Sequence, residues 1–179
     1  ELAASEDVLE DRYECTGSPI VLDLDGDGIR TVQSGARFDL AGTGHASRTR
    51  WIAPGDALLA YDRNGNGRID DGRELFGDAV ANDGFAALAE LDDDGDGDVD
   101  AFDAHFSRLR LWRDDGDGRT QPGELATLDS ASIVRLSLEH VELDLRDEEG
   151  SQLRYWSRFE RRDGTHGMTC DVYFPLGAR

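Results

Sequence analysis

The chain has 179 residues, which is enough for one large domain or two small ones. Asp and Glu number 39 against 19 Lys and Arg, and the resulting formal net charge of −20 would repel nucleic acid and anionic membrane surfaces. Hydrophobic residues make up 38% of the chain and no apolar run is as long as a membrane span, so we expect a folded core, no nucleic-acid partner and no membrane insertion.

The first fifty residues predict an acidic arm, a short strand and an irregular hairpin. Residues 1–17 are acidic and weakly patterned, so we expect an N-terminal arm outside the core. The apolar run Ile20–Leu22 predicts a strand that leads into the first of several acidic runs. The segment 32–51, with its aromatic residues among Gly, Thr and Ser, predicts the hairpin.

Acidic residues gather in four short runs that recur along the chain. Two like charges about 4 Å apart repel by about 1 kcal/mol in water, so such packing is costly unless a cation lies among them. A solvated acidic tail is the simpler interpretation, but each run is flanked by apolar segments and carries Gly at a fixed offset. The runs are DLDGDG at 23–28, DRNGNG at 62–67, DDDGDG at 92–97 and DDGDG at 114–118.

The spacing inside these runs is typical of an EF-hand loop. Such a loop takes oxygens from positions 1, 3, 5, 7, 9 and 12, with a backbone carbonyl at 7 and Gly at 6. Loops with many oxygen ligands favour Ca²⁺ over Mg²⁺, and the four scattered His residues lack the spacing of zinc ligands. We therefore predict about three to four bound Ca²⁺ ions.

The third run matches the EF-hand pattern best, whereas the first lacks a final ligand. The third run ends in Asp103, where Glu is usual, and the shorter side chain predicts weaker or more magnesium-tolerant binding. The first run has Ser34 at position 12, so it needs a donor from elsewhere. The candidates are Asp39, Asp56 and Asp71.

The second and fourth runs are each displaced from the pattern by one residue. In the second, position 12 is Arg73 and the carboxylate follows at Glu74, so either the loop is one residue longer or Glu74 enters from the start of a following helix. In the fourth, position 1 would be Arg113, so Asp114 must move inward if the site is complete. We rank the sites third, second, first and fourth. Four of the predicted ligands bind through backbone carbonyls: Ile29, Arg68, Asp98 and Arg119. The others bind through side chains: Asp23, Asp25, Asp27, Asp62, Asn64, Asn66, Asp70, Glu74, Asp92, Asp94, Asp96, Asp100, Asp103, Asp114, Asp115, Asp117 and Glu124.

Apolar residues at helical spacing flank the third run and predict a helix–loop–helix. They recur from Phe85 to Leu91, with Asn82 or Asp83 as the cap, and again from Phe102 to Leu109. We interpret the aromatic side chains of these segments as core. The segment Pro122–Leu128 predicts a further short helix.

Alternating apolar and polar residues replace the helical pattern near the C-terminus. Residues 139–179 predict an antiparallel β-meander packed on the same domain as a calcium-binding module at 18–138. The arginines between 154 and 162 form either a patch opposite the acidic loops or, more simply, one solvated sheet face. The predicted fold class is α+β, with calcium-loaded EF-hand-like loops, short helices and strands, and this C-terminal meander.

The two cysteines, Cys15 and Cys170, lie near opposite ends of the chain. A disulfide between them would close a loop of about 155 residues and stabilise the fold by at most about 5 kcal/mol in the chain-entropy model. Weak loops with several sites suit the millimolar Ca²⁺ found outside cells, so we expect a secreted or cell-surface location.

Four stretches of the sequence closely resemble one known module. They are SPIVLDLDGDG at 18–28, GDALLAYDRNGNGRIDDGREL at 55–75, GFAALAELDDDGDGDVDAFD at 84–103 and LRLWRDDGDGRTQPGEL at 109–125. The sequence resembles an EF-hand-like calcium-binding module of large secreted bacterial RTX-type proteins, in particular the self-processing module of iron-regulated RTX proteins. The resemblance covers roughly residues 18–138 and implies a compact α+β fold ordered by several Ca²⁺ ions and exported to the cell surface or medium.

In the self-processing members of that family, calcium-induced folding cleaves an Asp-Pro bond at the start of the module. The Asp side chain attacks its own carbonyl, and the resulting anhydride can be passed to a lysine. The matching bond here is Ser18-Pro19, and a Ser hydroxyl cannot form that anhydride. The resemblance therefore implies calcium binding without this chemistry.

Three hypotheses for function follow. The first is a non-catalytic extracellular module whose folding or rigidity depends on several Ca²⁺ ions, because binding energy then becomes folding energy. The second is a calcium-dependent adhesive or assembly subunit that binds another protein, a surface polymer or other copies of itself. The third, a calcium-activated self-processing module, is disfavoured by Ser18.

Overall fold

The computed structural model describes residues 17–175, and strands are its main elements. The strands are β1 (Ile20–Asp23), β2 (Thr31–Val32), β3 (Arg37–Phe38), β4 (Ser47–Arg48), β5 (Trp51–Ile52), β6 (Asp56–Ala60), β7 (Asp98–Asp100), β8 (Arg110–Trp112), β9 (Leu125–Thr127), β10 (Ile133–Ser137), β11 (Val141–Arg146), β12 (Gln152–Arg161) and β13 (His166–Tyr173). Antiparallel pairing joins nine of them in the order β7-β10-β12-β13-β1-β6-β8-β9, with β11 against β12 beside β10. The ribbons β2–β5 and β3–β4 lie outside this sheet.

Two hydrophobic cores lie on opposite faces of the sheet, because side chains alternate along a strand. In β1, Ile20 and Leu22 enter the first core and Val21 enters the second. The first core is covered by one short helix, α1 (Gly84–Ala89). The second is covered by the segment 29–53, which carries both ribbons.

The predicted α+β class is wrong, since the described residues are mostly β. Helix α1 has only six residues, although its cap is the predicted one: the Asp83 carboxylate accepts the Ala86 N–H at 2.8 Å. The other helical pieces are 3-10 turns of three residues each, at Gly72–Glu74, Phe106–Arg108 and Asp129–Ala131. The fourth acidic loop therefore connects two strands, and the second leads from strand β6 into the 3-10 turn at Gly72–Glu74, so neither lies between EF-hand helices.

Two predicted helices are absent from the described residues, and tertiary pairing accounts for one of them. The segment Pro122–Leu128 contains strand β9, which pairs with β8, so that the fourth loop is the connection of a hairpin. The segment Phe102–Leu109 contains a single 3-10 turn, and Phe102 is 81% exposed rather than part of a core. The prediction for Phe102–Leu109 rested on apolar spacing alone, which is a weak guide to helix formation.

The C-terminal strands complete the sheet rather than form a separate layer. Strand β12 pairs with β11 and β10 along one edge and with β13 along the other, and β13 pairs with β1, with Ile20 opposite Asp171. Cys170 is buried in the second core. Cys15 and nearly all of the predicted arm lie outside the described residues, so the disulfide stays a prediction. Within residues 17–175, no helix combines the length and apolar character needed to cross a membrane.

Candidate metal centre

The four acidic loops share one backbone geometry, in which the first Asp organises the turn. In the first three loops this carboxylate accepts the N–H groups of the glycines three and five residues later, at 2.7–3.1 Å. The glycine at the sharp turn has positive φ in every loop, from 75° to 97°, a conformation that only glycine adopts without strain. These glycines are Gly28, Gly67, Gly97 and Gly118.

In the second and third loops, a closing carboxylate bridges two ends of the loop. Glu74 accepts the N–H of Arg63 at 3.1 Å and that of Asp70 at 2.8 Å. In the third loop, Asp103 accepts the N–H of Asp93, the second residue of that loop, at 2.7 Å. It also accepts the N–H of Asp100, the ninth residue, at 2.8 Å. Glu74 thus closes its loop although it stands one position later than the pattern predicts.

In the fourth loop, Asp114 takes the first position and lies one residue closer to the turn glycine than the first Asp of the other loops does. Its carboxylate accepts the N–H groups of Gly116 and Gly118, two and four residues later. The closing carboxylate is Glu124, which accepts the N–H of Asp115 at 3.0 Å and of Gln121 at 2.8 Å. The predicted inward shift of Asp114 therefore matches the geometry.

Carboxylates converge in three of the loops. One oxygen from each of three acidic side chains lies within 4.8 Å of the others, in the sets Asp23, Asp25, Asp27; Asp92, Asp94, Asp96; and Asp114, Asp115, Glu124. Asp117 was predicted as a ligand but is outside this set, and its carboxylate accepts from Gln121 Nε2 at 3.0 Å. In the second loop, Asn64 and Asn66 both donate to Asp70, at 3.0 and 2.7 Å.

A buried acid, Asp56, lies beside the first loop and outside its set of three converging carboxylates. It lies opposite Asp23 in the register of β1 and β6, and it is 3% exposed. The neighbouring Gly55 lies against the Asp25 carboxylate, so closely that a Cβ there would be 2.0 Å from Oδ2. Neither oxygen of Asp56 makes a hydrogen bond within the part of the chain that the structure describes.

The electrostatics of Asp56 are those of a buried acid among other acids. Burial raises its pKa to about 7, and the charge of Asp23 raises it next; the Arg30 N–H acts the other way without forming a hydrogen bond of normal geometry. A buried carboxylate without a partner is costly. The site therefore fits a cation that would neutralise the carboxylates and occupy their free oxygens.

The other two candidate donors for the first loop are engaged elsewhere. Asp39 closes its own turn, where its carboxylate accepts from Thr43 N at 3.0 Å and from the Thr43 hydroxyl at 3.3 Å. Asp71 caps the 3-10 turn at Gly72–Glu74 and pairs with Arg73, whose guanidinium lowers the pKa of the Asp71 carboxyl. Asp56 is the donor that remains.

Hydrogen bonds connect the second loop to the third and fourth. The Tyr61 hydroxyl, one residue before the second loop, lies 2.8 Å from His105 Nδ1, two residues after the third. The Ile69 N–H donates to the Thr120 hydroxyl at 2.9 Å, which joins the second and fourth loops. Sequence reasoning missed both contacts, because neither pair has a local signal.

Three of the four arginines between residues 154 and 162 have partners in the same molecule, whereas Arg158 is exposed. Arg154 pairs with Glu142 at 2.8 Å, Arg162 pairs with Asp129, and Arg161 donates to the Leu24 carbonyl at 3.0 Å. Arg135 of β10 lies 3.4 Å from Asp98 and 3.5 Å from Asp100, at the edge of the third loop. These pairs neutralise acids of the same molecule.

A second buried acid lies close to Ser18, away from the loops. Asp171 is fully buried, its Oδ2 accepts the Gly84 N–H at 2.8 Å, and its Oδ1 has no partner among the described residues. Burial raises its pKa to about 8; the charges of Asp83 and Asp78 raise it further, and the Gly84 N–H and the Ser18 hydroxyl act in the opposite direction. The Ser18-Pro19 bond thus lies in a buried acidic environment.

The fold and the four loops define the class: an antiparallel β module with acidic, turn-forming connections. The chain belongs to the SPM domain family, whose model matches residues 20–175. The iron-regulated protein FrpA of Neisseria meningitidis serogroup C is 43% identical over 166 residues, which are 86% of this chain and 15% of that relative's length. The resemblance to the module of RTX-type proteins is confirmed at the family level.

Proposed function

We propose that the chain is a non-catalytic calcium-binding module of an extracellular RTX-type protein, and that several Ca²⁺ ions stabilise its fold. The observation that carries the proposal is Asp56, a buried carboxylate without a hydrogen bond among the described residues, which lies opposite Asp23 in the sheet. The charges of Asp23, Asp25 and Asp27 all raise its pKa. Loops with many oxygen donors favour Ca²⁺. The relationship to FrpA supports the extracellular location.

The stabilising effect follows from charge. Each ion would neutralise two of the 20 excess negative charges and join segments that are distant in sequence, such as Asp23 and Asp56. A ligand that binds only the folded chain stabilises it by about 2.7 kcal/mol at a hundredfold excess over its Kd. Chelation should remove this contribution.

Asp56→Asn tests the proposal through a change of sign. In chelator the substitution relieves repulsion among four carboxylates, so the free energy of unfolding should rise; in millimolar Ca²⁺ it removes a ligand, so the free energy should fall below wild type. Asp39→Asn is the matched control, because Asp39 is also buried but hydrogen-bonded within its own turn. Asp39→Asn should lower the free energy of unfolding by the same amount in chelator and in millimolar Ca²⁺. An Asp56→Asn effect of equal sign with and without Ca²⁺ would contradict the proposal.

The absence of self-processing is a separate part of the proposal. The residue before Pro19 is Ser18, whose hydroxyl cannot form the aspartyl anhydride described above. The Ser18 backbone N–H donates to Asp78 Oδ1 at 3.0 Å, and the Ser18 hydroxyl oxygen accepts the Asp78 N–H at 3.2 Å. These two hydrogen bonds hold Ser18 inside the fold. The intact mass should be unchanged after incubation with Ca²⁺. A fragment that begins at Pro19 would overturn this part alone.

A calcium-dependent assembly role is the second candidate, favoured by strand β11. All six residues of β11 are exposed, including Val141, Leu143 and Leu145, and exposed apolar edge strands pair readily with other chains. Light scattering with and without Ca²⁺ tests it. A size increase in Ca²⁺ that Leu143→Lys removes would support assembly, and a monomer under both conditions would exclude self-assembly.

A further inference from the structure

The first loop has no closing carboxylate of its own, and a distant turn supplies a carboxylate at the equivalent position. In the second and third loops, the N–H eight residues after the first Asp is accepted by the closing carboxylate. The equivalent residue of the first loop is Thr31, and its N–H donates to Asp147 Oδ2 at 2.8 Å. Asp147 is 116 positions further along the chain.

The contact is part of a buried polar network between the first loop and the turn that joins β11 to β12. The Thr31 hydroxyl lies 2.7 Å from the Ser151 hydroxyl, and both residues are buried. The other oxygen of Asp147 accepts the N–H of Ser151 at 2.9 Å and that of Glu149 at 3.1 Å. One carboxylate thus fixes its own turn and the end of the first loop together.

We propose that Asp147 is the positioning residue of the first cation site: it closes the first loop in place of the missing position-12 carboxylate, so that cation binding there and docking of the 147–151 turn stabilise each other. This rests on the proposed function, since it assumes that the first loop binds Ca²⁺. Coupling of two sites is reciprocal. Calcium in the first loop therefore also orders the hairpin that carries the exposed strand β11.

Asp163 provides a matched control in the next turn of the same sheet. Its carboxylate accepts the Thr165 N–H at 2.9 Å and the Thr165 hydroxyl at 2.7 Å, which is a local turn of the same kind as that of Asp147. Both of these contacts lie two residues away in the chain. Asp147→Asn and Asp163→Asn therefore make the same chemical change, but only Asp147 contacts the first loop.

The test is a Ca²⁺ titration followed by the amide NMR signals of Gly28 in the first loop and Gly97 in the third. An osmolyte such as trimethylamine N-oxide keeps the metal-free chain compact during the titration. Asp147→Asn should raise the first-loop Kd roughly tenfold or more, as one lost charge-assisted contact of about 1.4 kcal/mol implies, and leave the third-loop Kd within about twofold. Asp163→Asn should leave both within about twofold.

Each outcome has one meaning. An unchanged first-loop Kd in Asp147→Asn overturns this proposal and leaves the proposed function standing. Equal weakening of both loops also overturns it, because a general loss of structure would act on both. Failure of the wild-type signals to move in millimolar Ca²⁺ overturns the proposed function and this proposal with it.

Hydrogen exchange of the wild type keeps the proposal testable if Asp147→Asn does not fold. Ca²⁺ should slow exchange of the Thr31 and Ser151 amides roughly tenfold, and leave the Thr165 amide within about twofold. In Asp56→Asn, the slowing at Thr31 and Ser151 should disappear. Exchange at these two amides that does not respond to Ca²⁺ would overturn the coupling.

Discussion

The first and third loops begin with the same pattern of acids and glycines but are completed in different ways. The third loop closes with its own Asp103, eleven residues after Asp92, whose oxygens accept two N–H groups of the same loop. The first loop has no such residue; Asp56 lies beside it on the neighbouring strand, and Asp147, in the turn between β11 and β12, accepts the Thr31 N–H. The third site is therefore local, whereas the first depends on the assembled sheet.

This difference determines how each site should couple to folding. A local loop can gather its donors within about twelve residues, so the entropic cost of closing it is small. A composite site exists only when β1 pairs with β6 and the 147–151 turn is docked. Calcium at the first loop should therefore stabilise the whole sheet, and calcium at the third loop mainly its own segment.

The largest expected effect breaks the local closure of the third loop. Asp103→Ala leaves the N–H groups of Asp93 and Asp100 without their acceptor and removes a predicted ligand. In millimolar Ca²⁺ the free energy of unfolding should fall by about 3 kcal/mol. Asp103→Asn keeps one acceptor, so its free energy of unfolding, measured by chemical denaturation, should fall by less than that of Asp103→Ala. Equal losses would contradict a role for the acceptor that Asn keeps and would assign the whole effect to the carboxylate charge that both variants lack.

A buried acid outside the loops separates the effect of burial from that of a cation. Burial raises the pKa of Asp171 to about 8, so folding favours its protonated form. The resulting contribution to the free energy of unfolding is fully present below the ordinary Asp pKa and is lost as the pH rises through 8. The free energy of unfolding falls by no more than about 1.4 kcal/mol per pH unit. In denaturation from pH 6 to 9 in Ca²⁺, wild type should lose stability and Asp171→Asn should remain nearly flat. A parallel decline in both would contradict the assignment.

A smaller effect should appear at the contact between the second and third loops. Tyr61→Phe removes the hydroxyl that lies 2.8 Å from His105 and keeps the ring over which Arg108 packs at 4.7 Å. The loss should be about 1 kcal/mol in Ca²⁺. Ca²⁺ binding to the two loops should also become less cooperative in calorimetry, and unchanged cooperativity would show that the loops act independently.

The smallest effect is expected at Phe102, which the helical pattern wrongly places in a core. Its side chain is 81% exposed beside Asp103. Phe102→Ser should therefore change the free energy of unfolding by less than about 0.5 kcal/mol, against roughly 3–5 kcal/mol for a buried Phe. Thermal denaturation checks this, with Phe85→Ala as the buried control.

Predictions from the sequence succeed where the determinants are local and fail where they are distant. Strand β1 and the Asp83 cap depend on a few neighbouring residues, and both are present. The helix predicted at Pro122–Leu128 is wrong because β8 pairs with that segment, and the local sequence does not reveal this pairing.

The candidate site shows the same division. The turn geometry and the inward shift of Asp114 follow from spacing within each run. Asp56 could only be named as one of three donors, because the strand register that places it opposite Asp23 is a tertiary feature. Asp147 has no local signal, since its partner Thr31 is 116 residues away.

The most direct test of the central claim is calorimetric titration of Ca²⁺ into metal-stripped protein, with circular dichroism on the same samples. Three or more ions should bind, and ordered structure should increase as they do. No binding at millimolar Ca²⁺ would contradict the proposed calcium binding, and the convergence of Asp23, Asp25 and Asp27 beside the buried Asp56 would then need another explanation.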